Sequence, residues 1–210
     1  MANVYAHYAI DTWFENEESK RCSKKATIVR YADDMVICCR SKEDADKILE
    51  DLKIRLVRFS LELSMEKTKI VSFNYKQAKA GVKQETFDFL GFTFFIGKSR
   101  NGQDIRKLKT SSKRFKSKLK KVEDWCQAMR HRGNLKSLWK IFRAKLRGHI
   151  QYYAVSFNGH EVSSFCYEST RVFFKWMNRR SQKRSFDWKE FTRFMERYPL
   201  PEVTIKHKLF

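Results

Sequence analysis

The sequence predicts an α+β first part followed by an all-α second part. Two short β-branched runs flank a polar break near residue 33, which is the pattern of a β-hairpin. Beyond residue 112, apolar residues recur at helical spacing in four successive stripes. Lys and Arg crowd those same stripes, so the second part reads as helices with one apolar and one basic side.

Each element follows in order. Asn3 to Glu15 reads as a helix, because Val4, Tyr5, Tyr8, Ala9, Trp13 and Phe14 fall near a helical period. A polar loop is expected from Glu17 to Lys25. Thr27 to Tyr31 and Met35 to Cys39 are strands, and Ala32-Asp33-Asp34 between them places two carboxylates at a hairpin tip. Ser41 caps a helix with an acidic first turn, whose apolar stripe is Ala45, Ile48, Leu49, Leu52, Leu56 and Phe59. Leu61 to Leu63, Lys69 to Phe73 and Thr86 to Phe95 are strand candidates. Gly97 to Gly102 is a basic, turn-rich break and sets the boundary between the parts.

Four stripes then define a helical bundle: Phe115 to Met129, Leu135 to Tyr153, Phe165 to Trp176, and Trp188 to Met195. The expected organisation is residues 1–96 as the first domain, 97–112 as a linker and 113–210 as the helical domain.

The chain carries a net charge of +21 over 210 residues, which calls for a polyanionic partner. Nucleic acid fits best; a ribosome-associated or merely well-solvated basic protein is the plainer alternative. Residues 113–210 hold 24 Lys and Arg against 8 Asp and Glu, so 16 of the 21 net charges sit in the helical part. No apolar run is long enough to span a bilayer and no basic amphipathic anchor stands out, so no membrane partner is expected. The N-terminal residues do not read as a secretory signal, and a cytoplasmic location is expected. The five cysteines, at 22, 38, 39, 126 and 166, form no CxxC pair and do not cluster with histidines. Neither a zinc site nor a disulfide framework is expected.

Two adjacent aspartates on a rigid tip suit a hard cation such as Mg²⁺, which takes one or two carboxylates and completes its shell with water or phosphate oxygens. Ordinary turn chemistry is the plainer reading of a bare Asp-Asp pair. The surrounding blocks favour the metal. Arg30-Tyr31-Ala32-Asp33-Asp34-Met35-Val36-Ile37 resembles the active-site turn of reverse transcriptases. Leu61 to Lys69 and Phe87-Asp88-Phe89-Leu90-Gly91-Phe92 resemble the next two blocks of the group II intron branch of that family. Leu146 to Tyr153, Trp176 to Lys183 and Arg197 to Pro201 resemble its thumb, or maturase, region.

The resemblance implies a partial right-hand polymerase palm, a β-hairpin plus an amphipathic helix, followed by an all-α thumb. It implies RNA-directed DNA synthesis by two-metal phosphoryl transfer and assistance of intron splicing. Asp33 would bind Mg²⁺ directly, with Asp34 as the accompanying carboxylate. Tyr31 and Ala32 would lie near the primer end, and Phe89, Leu90 and Gly91 would grip the primer. Lys67 and Lys69 are candidates to contact the leaving pyrophosphate, solvated lysines being the plainer reading. Intron RNA and RNA–DNA hybrid are the implied partners. The phosphate-contact candidates are Lys113, Arg114, Lys116, Lys120, Lys121, Arg143, Lys145, Arg147, Arg179, Arg180, Lys183 and Arg184. Phe115, Trp125, Trp139, Tyr152 and Trp176 read as packing rather than base-stacking groups.

The family pattern begins upstream of this chain. The fingers and the first catalytic aspartate are expected to be absent, leaving the isolated chain inactive unless an N-terminal polymerase fragment partners it. Asp11 is read as a surface helical residue rather than a replacement for that aspartate. An inactive RNA-binding module, or the remnant of a mobile element, is the alternative. No Cys-pair or His-Asn-His constellation suggests an endonuclease.

Overall fold

The structure is a computed structural model that describes residues 2–73, 78–80, 82, 84–180 and 186–209. The chain forms two compact units, residues 1–90 with 94–106, and residues 91–93 with 107–210.

In the first unit the opening helix, α1, runs over residues 2–21, longer than the expected Asn3–Glu15. It holds two π turns, His7–Asp11 and Phe14–Glu18. The wider turns keep Ala9, Ile10, Trp13, Phe14 and Glu18 on one buried face. Strands β1 (Thr27–Tyr31) and β2 (Asp34–Cys38) pair antiparallel, with Ile28 opposite Ile37 and Tyr31 opposite Asp34. Period-two alternation turns Ile28, Met35 and Ile37 toward the core formed with α1 and with α2 (Lys42–Arg58), whose Ile48, Leu52 and Leu56 are buried. Ser41 caps α2 by accepting from the Asp44 backbone N–H at 3.1 Å.

Two expected strands are absent. Residues 61–63 and 69–73 are irregular and pair with no strand among the described residues. Leu61 and Leu63 do use their alternation, packing against the unit's core. The Thr86–Phe95 run divides into β3 (Phe87–Phe89) and β4 (Phe92–Lys98) around a two-residue turn. Residues 97–112, expected as a linker, instead hold the end of β4, a turn, β5 (Asp104–Thr110) and the start of the next helix. The charges of Arg106, Lys107 and Lys109 masked the inward positions Leu108 and Thr110, both buried. The sheet order is β3-β4-β5.

The second unit contains α3 (Ser112–Met129), α4 (Leu135–Tyr153), α5 (Gly159–Met177) and α6 (Trp188–Arg197). These are the four helices their stripes forecast. Side chains cap three of them: Ser111 and Asn134 each accept a backbone N–H, and Asp187 forms a capping box with Glu190. The core is an aromatic lattice around Trp139, Phe142, Phe173 and Phe191, with Phe142 and Phe173 centroids 4.8 Å apart. Asn158, fully buried, ties the unit together. Its Oδ1 accepts from the Thr110 N–H at 2.7 Å, and its Nδ2 donates to Thr110 Oγ1 and to the Tyr153 carbonyl. No described helix is long and apolar enough to cross a membrane.

Candidate catalytic turn and nucleic-acid interface

The pairing of Tyr31 with Asp34 leaves Ala32 and Asp33 as a two-residue hairpin loop. Ala32 adopts a φ of 52°, while Asp33 does not enter the left-handed region. Positive φ at the first loop position alone marks a II′-type turn, a place usually held by Gly. For Ala this costs about 1 kcal/mol, so its surroundings must hold it. Arg30 does so. Its Nε and Nη2 donate to Asp11 Oδ1 and Oδ2 at 2.7 and 2.6 Å, and its Nη1 donates to the Ala32 carbonyl at 2.9 Å. Alternation along β1 turns Arg30 inward toward α1, and its side chain is 11% exposed. The hydrogen bonds from Arg30 hold the Asp11 carboxyl below the usual carboxylate range, and the Arg30 guanidinium is raised in turn.

Asp11 is therefore not the surface helical residue the sequence suggested. It is the half-buried, bidentate anchor of the turn. No sequence signal could pair these residues, because an arginine beside the motif and one helical aspartate carry no register between them.

Asp33 and Asp34 are exposed, and no described residue hydrogen-bonds or ion-pairs with their carboxylates. Tyr31 stands beside them, 66% exposed. Two free carboxylates on a fixed tip fit one hard cation whose other positions go to water or phosphate. Among the described residues no three metal-ligating side chains gather. Asp11 could serve only by abandoning Arg30.

The second turn lies between β3 and β4. Leu90 and Gly91 both take positive φ, 50° and 83°, as a I′-type turn requires. The Gly91 carbonyl accepts from the Ser111 N–H at 3.0 Å, and a Cβ on Gly91 would meet the Tyr153 hydroxyl at 3.0 Å. Phe89 is half-buried. Lys67 and Lys69 are both exposed, and among the described residues neither pairs with Asp33 or Asp34.

The basic candidates of the second unit separate by environment. Lys113, Arg114, Lys116 and Lys121 on α3 and Arg147 on α4 are exposed. Lys120 is exposed but committed to Asp124 and Glu123 at 3.1 and 3.4 Å. Lys145 lies over the Trp125 ring at 5.2 Å. Arg143 and Arg180 are half-buried, and the Nε of each lacks an acceptor among the described residues. Arg179 lies over Trp176. Lys183 and Arg184 lie outside the described residues. Trp125, Trp139 and Trp176 serve packing, whereas Tyr152 is half exposed and stacks on Phe92.

No curated protein and no solved structure matches the chain. Residues 3–94, which contain α1, both turns and α2, match the family of reverse transcriptases (RNA-dependent DNA polymerases). Over that segment the chain is similar to a family whose general activity is RNA-directed DNA synthesis on a nucleic-acid template.

Proposed function

We propose that this chain is the part of a group II intron-type reverse transcriptase that carries the metal-binding turn of the palm and a helical thumb, also called the maturase region. The observation that carries the reading is the Tyr31-Ala32-Asp33-Asp34 turn, clamped in place, with both carboxylates free, inside the segment that matches the family. Asp33 would hold Mg²⁺ with Asp34 beside it, and the bound ion would neutralise charge developing on the transferred phosphoryl group. Tyr31 and Ala32 would border the primer end, Phe89, Leu90 and Gly91 would grip the primer, and Lys67 or Lys69 would meet the departing pyrophosphate. The basic helices would take intron RNA and RNA–DNA hybrid through their phosphates, in the cytoplasm.

The second reading, an RNA-binding module or element remnant without synthesis, draws on the two-carboxylate donor set. Primer extension on an RNA template with Mg²⁺ separates them. We expect no synthesis from the 210 residues alone, and synthesis when a polypeptide bearing fingers and a further carboxylate is supplied. That activity should vanish in Asp33→Asn. Synthesis indifferent to Asp33→Asn would overturn the assignment of the turn. RNA binding with no synthesis in either format would favour the second reading.

A further inference from the structure

Helices α3 and α5 end beside the same indole ring. The guanidinium carbon of Arg130, just after α3, lies 5.3 Å from the Trp176 ring centroid. Lys175 Nζ lies 5.6 Å from it and the Arg179 guanidinium 5.3 Å. Arg180 follows in sequence, half-buried, with one Nη donating to Met177 Sδ. Four cations thus crowd the end of one helix and the end of its neighbour.

Their compensation is incomplete. Two helix C-termini supply about one negative charge between them. Glu123 supplies one more through Lys175 at 3.2 Å, but it also serves Lys120. Arg130 and Arg179 have no carboxylate partner among the described residues. The Nε of Arg130 donates to His131 Nε2 at 2.9 Å, which leaves the four terminal N–H groups of that guanidinium without an acceptor among the described residues. The balance is about two uncompensated positive charges, held by the ring quadrupole rather than by anions. Trp176 itself is only 8% exposed, so a base cannot stack on it. The ring positions the cations, and the cations face the ligand.

We propose that this end of the helical unit is a seat for phosphodiester groups of structured RNA, with Arg130 and Arg179 as its principal donors and Lys175 in support. The proposal rests on the nucleic-acid reading above and adds a place and a chemistry to it. Guanidinium donors in a fixed fork suit phosphate oxygens bidentately. Such contacts follow backbone shape, so the seat should accept related and unrelated duplex RNA alike.

The test uses the full chain and an RNA hairpin with a long duplex stem. Binding of the Arg130→Gln/Arg179→Gln variant should be about tenfold weaker near 0.1 M salt, and its log–log salt slope shallower by about 1.5. Independently, in the ¹H–¹⁵N spectrum of the wild type, the Trp176 indole signal, assigned through Trp176→Phe, should shift on adding RNA. This second measurement decides the matter if the double variant fails to fold. RNA binding with the variant's affinity and slope unchanged, or with the Trp176 signal stationary, overturns the seat while leaving RNA binding by the unit intact. A wild type that binds no RNA overturns the nucleic-acid reading itself, and the seat with it.

Discussion

Arg30 spends its guanidinium on two tasks, gripping Asp11 with one edge and the Ala32 carbonyl with another nitrogen. Both side chains of the pair are mostly buried, so removing one partner leaves an uncompensated charge. We expect Arg30→Gln to cost about 2–3 kcal/mol in denaturant unfolding. Arg30→Lys, which keeps the charge but loses the fork, should recover only part of it. A cost below 0.5 kcal/mol, within the range of ordinary surface changes, would show that the clamp does not hold the turn. His149 sets a second residue-scale expectation. It stacks on Phe165 with centroids 3.7 Å apart, neither ring nitrogen has a hydrogen-bond partner among the described residues, and burial, helped by Lys118, pushes its pKa down to about 4. The unfolded chain binds the proton more readily than the folded one. Stability from this group is therefore full above pH 6.5 and falls as pH drops from 6.5 toward 4. The loss across that window should be about 3 kcal/mol. Subtracting the pH profile of His149→Phe from that of the wild type isolates it from the carboxylates; parallel profiles would refute it.

At the scale of elements, the β1–β2 hairpin is the weakest construction. It is a two-stranded sheet, marginal by itself, and its outer face leaves Val29 and Tyr31 53% and 66% exposed. Hydrogen exchange should protect residues 27–38 less than the helical amides near Trp139 and Trp176; equal protection would contradict this. Asn158 marks the opposite extreme. Replacing it with Ala strands the Thr110 N–H in a buried site and takes one donor each from Thr110 Oγ1 and the Tyr153 carbonyl, and we expect a loss of about 2–4 kcal/mol of stability. These contrasts also show what the sequence could reveal. The hairpin tip and the four late helices were legible because period two and period 3.6 declare themselves locally. Leu61 to Leu63 alternates as a strand should, yet alternation names a face and not a neighbour, and no described strand pairs with it. β5 was hidden for the converse reason, its basic residues disguising a strand as a linker. The hairpin pattern put Asp33 and Asp34 at a tip and the resemblance of the flanking residues gave them a role, whereas the Asp11–Arg30 clamp needed the fold to bring α1 beside β1.

For the molecule as a whole, the telling quantity is where its charge lies. Sixteen of the 21 net positive charges fall within residues 113–210. Like charge so concentrated opposes compactness unless a polyanion answers it, and the aromatic lattice of the helical unit bears that repulsion in the free protein. Binding to structured RNA should therefore weaken steeply with salt, with a log–log slope corresponding to about 4–8 neutralised phosphates. The structure refines which lysines matter. Lys113, Lys116 and Lys121 are exposed and make no ion pair among the described residues, while Lys120 is already held by Asp124 and Glu123. Changing Lys113, Lys116 and Lys121 together to Ala should flatten the slope by about 2–3 and leave helicity intact, because Ala is the best helix former. Adding Lys120→Ala should flatten it little further. Filter binding across a salt series, run on wild type, triple and quadruple variants, measures all of this at once. If the fourth change matters as much as the first three, the Lys120 ion pairs do not persist in the bound state; if none of the four matters, α3 is not part of the binding surface. Equal losses toward related and unrelated RNA mean contacts to backbone phosphate alone, whereas loss confined to one intron RNA means that α3 reads a particular shape.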